Sequence, residues 1–540
     1  MAVKLGRKEL PSGHSREDFE CFGPPAVKDG EFDNCMIADL GCFNQALVDS
    51  NKGYHASVVK SKKNGKWYTY FEWGRTGGSP DFLFQECYSK EEAQQLFAKQ
   101  LHSKNDKRGE WVTIAGRQVL RAKEGEDCYL VRPSARRTTG LPDAQKIVHD
   151  DSNLNLNSTT PIKTSKSKKI NKPTRDEKTL ELGRALTGAT LNYTRKSMAG
   201  SHIPTQSAID EGRDILIEAL TRVQKVGNDT QAQINDNELK QLTSILYGRI
   251  PKIKVVGAPE STWILSSQNI QAWQMDLDAF ESALFSLKSE TKDVQHVNDP
   301  FEGFDLDIWW LDPKSPQGEF ISNWAPKASA NRHGGIGNMH IENMWVFSQK
   351  NLINTFSSTV EKIAKEVNSK RNETPLFQPK TRLDLEEDKR RKFNEAHVSQ
   401  LFHGTRAQNV NSILRIGLKV PGQVKGVAIN GALLGSSGLY FADDWKKSAG
   451  YCSLSGSYWV RGEGAVKSRG AFMFITNVCL GNPHTADRGY GYVSPPKGCH
   501  SVLGKAHYTS LGYSSLQNNE WVVYTPNQVN LNYLIEFSAK

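Results

Sequence analysis

The feature that most constrains this fold is a polar segment that separates parts of the chain with different periodicities. Residues 136–178 contain the unpatterned run Asp151–Thr160, and seven basic residues follow between 163 and 178. Such a segment cannot bury enough apolar surface to order itself. The 540-residue chain also exceeds the roughly 250 residues that one hydrophobic core usually holds. We therefore expect a multidomain α+β protein with a linker at 136–178.

Before this linker, residues 45–135 read as a small α+β module. The stretch 54–59 alternates apolar and polar side chains, and 66–73 is rich in aromatic, strand-forming residues. Asn64-Gly65 between them is a strong hairpin signal. Ser89 and Glu92, three residues apart, predict a capping box that opens a helix. Residues 1–44, rich in Gly, Pro and Asp, are expected to form an irregular leader.

After the linker, the periodicity changes twice. Residues 179–290 carry apolar side chains at helical spacing in the segments 208–223, 237–246 and 270–280, which predicts an all-helical bundle. From 291 to 540, strand-like segments return at 304–311, 344–347, 471–480 and 521–524, with a charged helix expected at 383–400. This part is interpreted as a mixed α/β domain with mainly antiparallel strands.

Composition narrows the function classes. The formal net charge of +10 and the pI near 9.0 favour a polyanionic partner, because Lys and Arg that neutralise phosphates release condensed counterions. The linker is then either a solvated tether or a nuclear-import or DNA-contacting segment. No run of about 18 apolar residues occurs and the first residues do not read as a secretory signal, so no membrane partner is expected.

The eight cysteines contain no Cys-x-x-Cys pair, which is the usual zinc-binding spacing. Cys21, Cys35 and Cys42 fall near His14, which leaves a zinc site as one interpretation. Reduced thiols are the simpler one, and no metal is expected.

Four short segments in the C-terminal part point to a chemistry when taken together. They are Leu401–Arg406 (LFHGTR), Gly438–Asp443 (GLYFAD), Lys447–Cys452 (KSAGYC) and Asn519–Trp521 (NEW). In this order they resemble the signature of the poly(ADP-ribose) polymerase catalytic domain. The resemblance implies an ADP-ribosyltransferase that uses NAD+ as its substrate and releases nicotinamide.

The resemblance also assigns roles to individual residues. Glu520, His403 and Tyr440 are the implied catalytic residues, with Glu520 holding the ribose on the nicotinamide side and polarising the acceptor. NAD+ binding is implied for seven positions: His403, Gly404, Thr405, Lys419, Tyr440, Ser448 and Tyr451. Each has an ordinary alternative as well, since a lone histidine, a tyrosine in a strand or a carboxylate at a sheet edge is common in any fold.

The match has departures from the family pattern. Lys419 stands where the family has an arginine on the adenosine side, and Ser437 stands where a lysine is common. The segment from Gly504 to Glu520 is short compared with the family's acceptor-side loop, and residues 300–400 match poorly. Whether the product is a polymer or a single ADP-ribose unit therefore stays open.

A second resemblance lies in the N-terminal module, at Glu72-Trp-Gly-Arg-Thr-Gly-Gly78. This motif is similar to that of the WGR domain, which implies that Trp73, Gly74 and Arg75 contact DNA ends or nicks. The alternative is a strand that leaves the sheet through a glycine turn with Trp73 packed in the core. The helical part at 179–290 resembles the regulatory domain that shields the NAD+ site until DNA is bound.

These resemblances together predict a poly(ADP-ribose) polymerase that responds to DNA strand breaks and modifies protein acceptors, including itself. The alternatives are a mono-ADP-ribosyltransferase and a catalytically silent scaffold that binds DNA ends. The expected location is the nucleus in a eukaryote, or otherwise the cytoplasm in association with DNA.

Overall fold

A computed structural model of the chain describes most of its residues. The described ranges are 3–21, 23–44, 50–76, 79–133, 136–139, 146–149, 175–198, 203–227, 229–252, 259–290, 299–301, 303–329, 336–367, 392–419, 434, 438–452, 471–486, 492, 494–506 and 516–539. They fall into two compact units. The first comprises Met1–Ser165 and Thr194–Thr291, and the second comprises Lys166–Tyr193 and Lys292–Lys540.

The first unit contains a seven-stranded antiparallel sheet with one helix and a separate hairpin. The elements in chain order are β1 (Val3–Lys4), β2 (Phe19–Cys21), β3 (Ile37–Asn44), β4 (Ser50–Ser61), β5 (Trp67–Arg75), β6 (Asp81–Cys87), α1 (Lys90–Lys104), β7 (Gly109–Ile114), β8 (Arg117–Ala122) and β9 (Leu130–Val131). The sheet order is β1-β6-β5-β4-β3-β9, with β2 paired to β4, while β7 and β8 pair with each other.

The hairpin and the helix of this module follow their sequence signals. β4 and β5 pair as expected, and Gly65 in the turn has a φ of 69°, a conformation that glycine adopts without steric cost. Ser89 accepts a hydrogen bond from the Glu92 N–H at the start of α1. The Glu92 carboxylate bonds the Tyr88 N–H at 2.8 Å, one residue before the position that a standard capping box predicts.

The segment 1–44 differs from the expected irregular leader. β1, β2 and β3 all belong to the seven-stranded sheet, and Phe19, Phe32 and Leu40 are buried. The strands were not predicted, because the glycines and prolines of this segment interrupt the alternation of apolar and polar side chains on which a strand prediction depends.

Short strands and helices follow in the chain. Backbone pairing joins β10 (Arg136–Thr139) to β11 (Lys146–His149), both within the expected linker, while 150–174 lie outside the described residues. The helices are α2 (Glu177–Ser197), inside which the division between the units falls, then α3 (Gln206–Val226), α4 (Thr230–Asn235), α5 (Asn237–Arg249) and α6 (Ser267–Glu290). The three helical segments predicted between 208 and 280 are confirmed.

Helices α3–α6 share one hydrophobic core with strands of the first unit. Ile215, Leu246 and Trp273 from the helices belong to the same buried cluster as Phe43 of β3 and Leu120 of β8. Burial of such large side chains against each other contributes roughly 1.5–3 kcal/mol per side chain. The helices and the sheet therefore form a single packed body.

A buried charge network also joins the helices to the sheet. Arg249, at the end of α5, donates to the Asp29 carboxylate at 2.5 Å and to Glu211 of α3 at 2.8 Å. The opposite oxygen of Asp29 accepts from Asn105 and from the Val131 N–H of β9. Burial of Arg249 would by itself lower its pKa, but the two carboxylates outweigh that effect and raise it.

The second unit is built from two antiparallel sheets. Its elements are β12 (Leu306–Trp310), α7 (Pro316–Trp324), β13 (Met339–Gln349), α8 (Lys350–Glu366), β14 (Val398–Gly404), α9 (Ala407–Ile416), β15 (Leu439–Phe441), α10 (Trp445–Ala449), β16 (Ala471–Cys479), β17 (Pro483–Thr485), β18 (Ser501–Gly504), β19 (Glu520–Val523) and β20 (Val529–Ala539). One sheet has the order β12-β13-β20-β16-β14 and the other β15-β19-β18-β17, in which only β17 and β18 are parallel.

The strands of the second unit match their predicted positions. β16 is buried along its whole length, which fits its unbroken apolar sequence. The charged helix predicted at 383–400 is wrong at its end, because Val398–Gln400 already belong to β14 and are buried. Half of that helix, 383–391, lies outside the described residues. The expected poorly matching region contains α7 and α8, which the sequence patterns did not identify.

Two further observations concern cysteines and helices. Each of the eight cysteines carries a free thiol, and six of them are buried. In the described part of the chain, no helix is long and apolar enough to cross a membrane.

Candidate active site

The two sheets of the second unit meet where β14 and β15 end. Phe402 and Ala442 exchange two backbone hydrogen bonds, at 2.8 and 3.0 Å, across the gap between the sheets. This bridge places His403, the next residue of β14, beside Tyr440 of β15. The His403 Nδ1 lies 3.1 Å from the Tyr440 carbonyl oxygen.

His403 is held in a defined protonation state. Because a carbonyl oxygen only accepts, Nδ1 must carry the hydrogen of this bond, which leaves the Nε2 lone pair as an acceptor in the neutral ring. Burial lowers the pKa of His403 below its usual value of 6.5, since the charged ring would lose its hydration. The site therefore presents a neutral imidazole whose Nε2 can accept a hydrogen bond from a hydroxyl.

Gly404 lies directly against the backbone of α10. A Cβ atom at this position would lie 2.7 Å from the carbonyl carbon of Ser448 and would overlap its oxygen. The Ser448 hydroxyl donates to the Phe402 carbonyl at 3.1 Å, which fixes α10 against β14. Close packing alone thus requires glycine here, and it leaves the backbone at Gly404 bare of any side chain.

Tyr440 and Glu520 occupy the same face of the second sheet. Tyr440 pairs with Val522, and Glu520 precedes Val522 by two residues, so both side chains project to one side. The Tyr440 ring packs on the cluster around Val522 and Tyr524, and its hydroxyl accepts from the Leu434 N–H at 3.2 Å. Burial raises the pKa of Tyr440, so the phenol stays protonated.

Glu520 is buried and ion-paired. Its carboxylate pairs with the Lys447 ammonium of α10, the residue before Ser448. A buried carboxylate needs such a partner, because desolvation of an unpaired charge is costly. This contact links the first residue of β19 to the helix that packs on Gly404.

Asp443 holds the strand that carries Glu520. Its carboxylate accepts from the Asn519 amide at 2.8 Å and from the Trp521 indole at 3.4 Å, so it binds the residues on both sides of Glu520. Burial raises the pKa of Asp443. The sequence patterns missed Asp443 and Lys447 as site residues. Both lie within the quoted segments, but no spacing rule revealed their long-range partners.

The other residues expected to bind NAD+ follow β14, α9 and α10 in the chain. Thr405 is buried just after Gly404, and Tyr451 follows α10 with 45% of its surface exposed. The Tyr451 N–H donates to the Ser448 carbonyl at 3.0 Å. Lys419 is half-buried and comes after α9, beyond Gly417, which has a φ of 74°. Ser437 lies outside the described residues.

The Trp73-Gly74-Arg75 motif lies in the first unit, at the end of β5. These three residues pair with Tyr54, Gly53 and Lys52 of β4. Trp73 is half-buried and packs against the core beneath α1, whereas Arg75 is exposed. A Cβ atom on Gly74 would lie 3.1 Å from the Pro80 backbone, so the glycine permits a tight approach.

Two family models match the chain. The poly(ADP-ribose) polymerase catalytic domain matches residues 339–539, and the WGR domain matches residues 42–115. The chain therefore contains a domain similar to the catalytic domain of the poly(ADP-ribose) polymerase family. The matched regions include the four signature segments and the Trp-Gly-Arg motif. Part of the region expected to match poorly, from residue 339 onwards, therefore falls inside the catalytic domain.

Individual relatives agree with this assignment. Poly [ADP-ribose] polymerase 1 of Danio rerio is 32% identical over 170 residues, which cover 27% of this chain and 15% of that protein. Poly [ADP-ribose] polymerase 2 of Homo sapiens is 32% identical over 164 residues, covering 25% of this chain and 26% of that protein. Protein mono-ADP-ribosyltransferase PARP4 of Homo sapiens is 29% identical over 145 residues, covering 26% and 8%. The chain thus spans a small part of the length of these relatives.

The poly(ADP-ribose) polymerase domain is an ADP-ribosyltransferase domain that uses NAD+ as its substrate. The junction described above lies entirely within it. In the described part of the chain, no group of three His, Cys, Asp or Glu side chains could hold a metal ion. Helices α3–α6 lie outside both matched regions, so their likeness to a regulatory domain stays a prediction.

Proposed function

We propose that this chain is an NAD+-dependent protein ADP-ribosyltransferase that builds ADP-ribose chains in response to DNA strand breaks. The observation that carries the proposal is the position of Glu520. This buried, ion-paired carboxylate lies on the same face of the second sheet as Tyr440. The junction of β14 and β15 places His403 beside Tyr440. The family of the catalytic domain supports the same reaction.

The transfer breaks the bond between the nicotinamide nitrogen and C1′ of the adjoining ribose. Nicotinamide leaves with the bonding electron pair, and positive charge develops on the ribose. An acceptor oxygen then forms the new bond to C1′ and releases its proton. A carboxylate near C1′ stabilises the developing charge and polarises the acceptor hydroxyl, and both effects favour the transition state over the ground state.

The nicotinamide side of the substrate is proposed to bind over Gly404. The bare backbone there offers an N–H and a carbonyl to the carboxamide, and the Ser448 hydroxyl joins them. The rings of Tyr440 and Tyr451 enclose the flat nicotinamide by stacking. The neutral His403 accepts from a ribose hydroxyl through Nε2, which its lowered pKa supports.

The remaining assignments concern further NAD+ contacts and the residues that position Glu520. Thr405 and Lys419 are proposed to contact NAD+ beyond the nicotinamide, Lys419 on the adenosine side. Lys447 and Asp443 are proposed to position Glu520, because they hold its carboxylate and both neighbouring side chains.

DNA is the proposed activator. Trp73, Gly74 and Arg75 are the proposed contact residues, with the indole meeting an exposed sugar or base and the guanidinium meeting a phosphate. The WGR match and the net charge of +10 support this assignment. Helices α3–α6 are proposed to restrain NAD+ access until DNA binds, which requires DNA to favour the open state. A nuclear location in a eukaryote follows from this role.

A single-unit transfer is the second candidate for the product. One of the matching relatives is named a mono-ADP-ribosyltransferase, and the segment between Gly504 and Glu520 is short. Glu520 favours the polymer, because elongation needs a carboxylate that activates the 2′-hydroxyl of a bound ADP-ribose. The acceptors are proteins, and the chain itself is a candidate among them.

The test is an incubation of the purified chain with labelled NAD+, with and without nicked or blunt-ended duplex DNA, followed by separation by size. A smear that depends on DNA supports both the polymerase and its activation. A sharp labelled band identifies single-unit transfer, and labelling that is indifferent to DNA removes the activation. Absence of label in every condition would overturn the enzymatic proposal and leave a scaffold that binds DNA ends.

A further inference from the structure

The N-terminal strand brings two basic side chains to Trp73. β1 pairs with β6 at the edge of the sheet, and the chain continues along that edge through hydrogen bonds from Leu5 to Phe84 and from Lys8 to Phe82. It therefore runs towards Asp81, the residue that pairs with Trp73.

Arg7 and Lys8 end beside the indole. Both form ion pairs with the Asp81 carboxylate, at 2.9 Å for the Lys8 ammonium, and the Arg7 guanidinium lies 5.9 Å from the centre of the Trp73 ring. Their side chains are 67% and 56% exposed. Since two cations share one carboxylate, the cluster carries one surplus positive charge next to a partly exposed aromatic ring.

This placement is not a property of the matched WGR region, which begins at residue 42. The backbone of β1 and of Lys8 is hydrogen-bonded to β6, and the ion pairs with Asp81 place the Arg7 and Lys8 side chains beside Trp73. Lys8 adopts a φ of 63°, an uncommon conformation for a residue with a side chain, and its N–H is bonded at 2.9 Å. The segment that carries Arg7 and Lys8 is thus an ordered part of the surface around Trp73.

We propose that Arg7 and Lys8 extend this face into a nucleic-acid interface, in which they contact the phosphates that flank the nucleotide at Trp73. The inference rests on the proposed DNA binding of the Trp-Gly-Arg motif. Exposed ion pairs such as those with Asp81 contribute little to stability, so phosphates replace the carboxylate at low cost. An aromatic ring beside cations is the combination that binds a nucleic-acid strand.

The partner is the sugar-phosphate backbone at a DNA end. A contact to phosphate releases counterions, and each one adds about 0.9 to the slope of log K against log salt for duplex DNA. The two side chains together therefore contribute a measurable part of the salt dependence. They should act on affinity for every sequence alike, because phosphates carry no sequence information.

The test uses the full chain and a fluorescent blunt-ended duplex, with the Kd measured at several salt concentrations. The double variant Arg7→Gln/Lys8→Gln should bind about tenfold more weakly, with a slope smaller by nearly two. Asp81→Asn, which removes the competing carboxylate, should bind more tightly. A gain of affinity cannot come from a folding defect, so this variant keeps the test sound.

The matched control is Lys66→Gln. Lys66 forms a similarly exposed ion pair with Glu86, but it directly precedes β5 and lies seven residues from Trp73, about 23 Å away. It should leave both the Kd and the slope nearly unchanged.

Equal binding by the wild type and the double variant would overturn the inference while the proposed DNA activation stands. A loss in Lys66→Gln as large as in the double variant would also overturn it, since the effect would then be one of overall charge. If the wild type itself fails to bind the duplex at low salt, the inference and the proposed DNA activation both fall.

Discussion

At the scale of single residues, Glu520 should separate binding from transfer. Glu520→Gln keeps the shape and removes the charge that stabilises the ribose and activates the acceptor. We expect elongation to be lost and the rate of transfer to fall by about 10²- to 10³-fold, while NAD+ affinity changes little. Product length on a gel and NAD+ titration by calorimetry measure the two effects. Polymer of unchanged length would remove the role assigned to Glu520.

His403 makes a prediction about pH. Its pKa is lowered from the usual 6.5 because burial disfavours the charged ring. Below pH 6.5 the unfolded chain therefore binds more protons than the folded chain at this residue, so the stability it contributes is present above that pH and is lost as the pH falls.

The affinity for NAD+ should depend on the protonation state of His403. The neutral ring persists to a pH lower than 6.5, so affinity should stay constant between pH 8 and 6.5 and weaken only below that range. His403→Gln should weaken binding and flatten this acid limb. The proton resonances of the imidazole, followed against pH, measure the pKa directly, and a value above 6.5 would contradict the assignment.

At the scale of elements, the packing of β14 on α10 is tested by Gly404→Ala. The new methyl group would collide with the Ser448 backbone, which cannot move aside as a flexible side chain would. We expect a loss of about 1–3 kcal/mol in the free energy of unfolding, together with a loss of NAD+ binding.

Gly188→Ala is the matched control for this substitution. Gly188 lies in α2 within the same unit, and a Cβ there meets nothing within 4 Å. Alanine favours a helix over glycine, so this variant should be neutral or more stable by up to about 1 kcal/mol. Chemical denaturation of both variants decides the matter, and equal stabilities would contradict the packing argument.

The elements show how far the sequence predicts this fold. Sequence patterns located β4, β5, α3, α5 and β16, and β16 is buried along its whole length. They missed β1 to β3, because β1 and β2 are two or three residues long and β3 contains Gly41. They also placed residues of β14 in a helix, because the charged residues before 398 suggested one that continues.

The candidate site was predictable as a set of residues but not as an arrangement. The signature segments named His403, Tyr440 and Glu520, yet no local pattern shows that Asp443 binds the neighbours of Glu520 or that Lys447 pairs with it. Such contacts join residues more than 70 positions apart and depend on the sheet register. Local spacing carries no information about that register.

At the scale of the whole molecule, the first unit should unfold as one body of sheet and helices. Arg249→Met leaves Asp29 buried without its charged partner, which should lower the free energy of unfolding by about 3–5 kcal/mol. Hydrogen exchange should increase in both α5 and β9, whereas peptides from β16 and β20 stay protected. Asp29→Asn combined with Arg249→Met should recover part of the loss. Increased exchange confined to α5 would contradict a shared core.

The DNA response should depend on the same unit. Trp73→Ala and Arg75→Ala should reduce stimulation by nicked DNA at least tenfold and leave the basal rate of transfer within twofold, because both residues belong to the first unit and the catalytic elements belong to the second. The ratio of labelling with and without DNA is the measurement. An equal fall of both rates would assign these residues a structural role only.

The backbone bridge between Phe402 and Ala442 has a consequence for inhibitor design. Two backbone hydrogen bonds join the two sheets at the point where His403 meets Tyr440. A compound that binds the ends of both β14 and β15 would hold the two sheets together at this point. The potency of such compounds should therefore correlate with the rise that they cause in the melting temperature of the protein. It should correlate less well with the number of side chains that they contact.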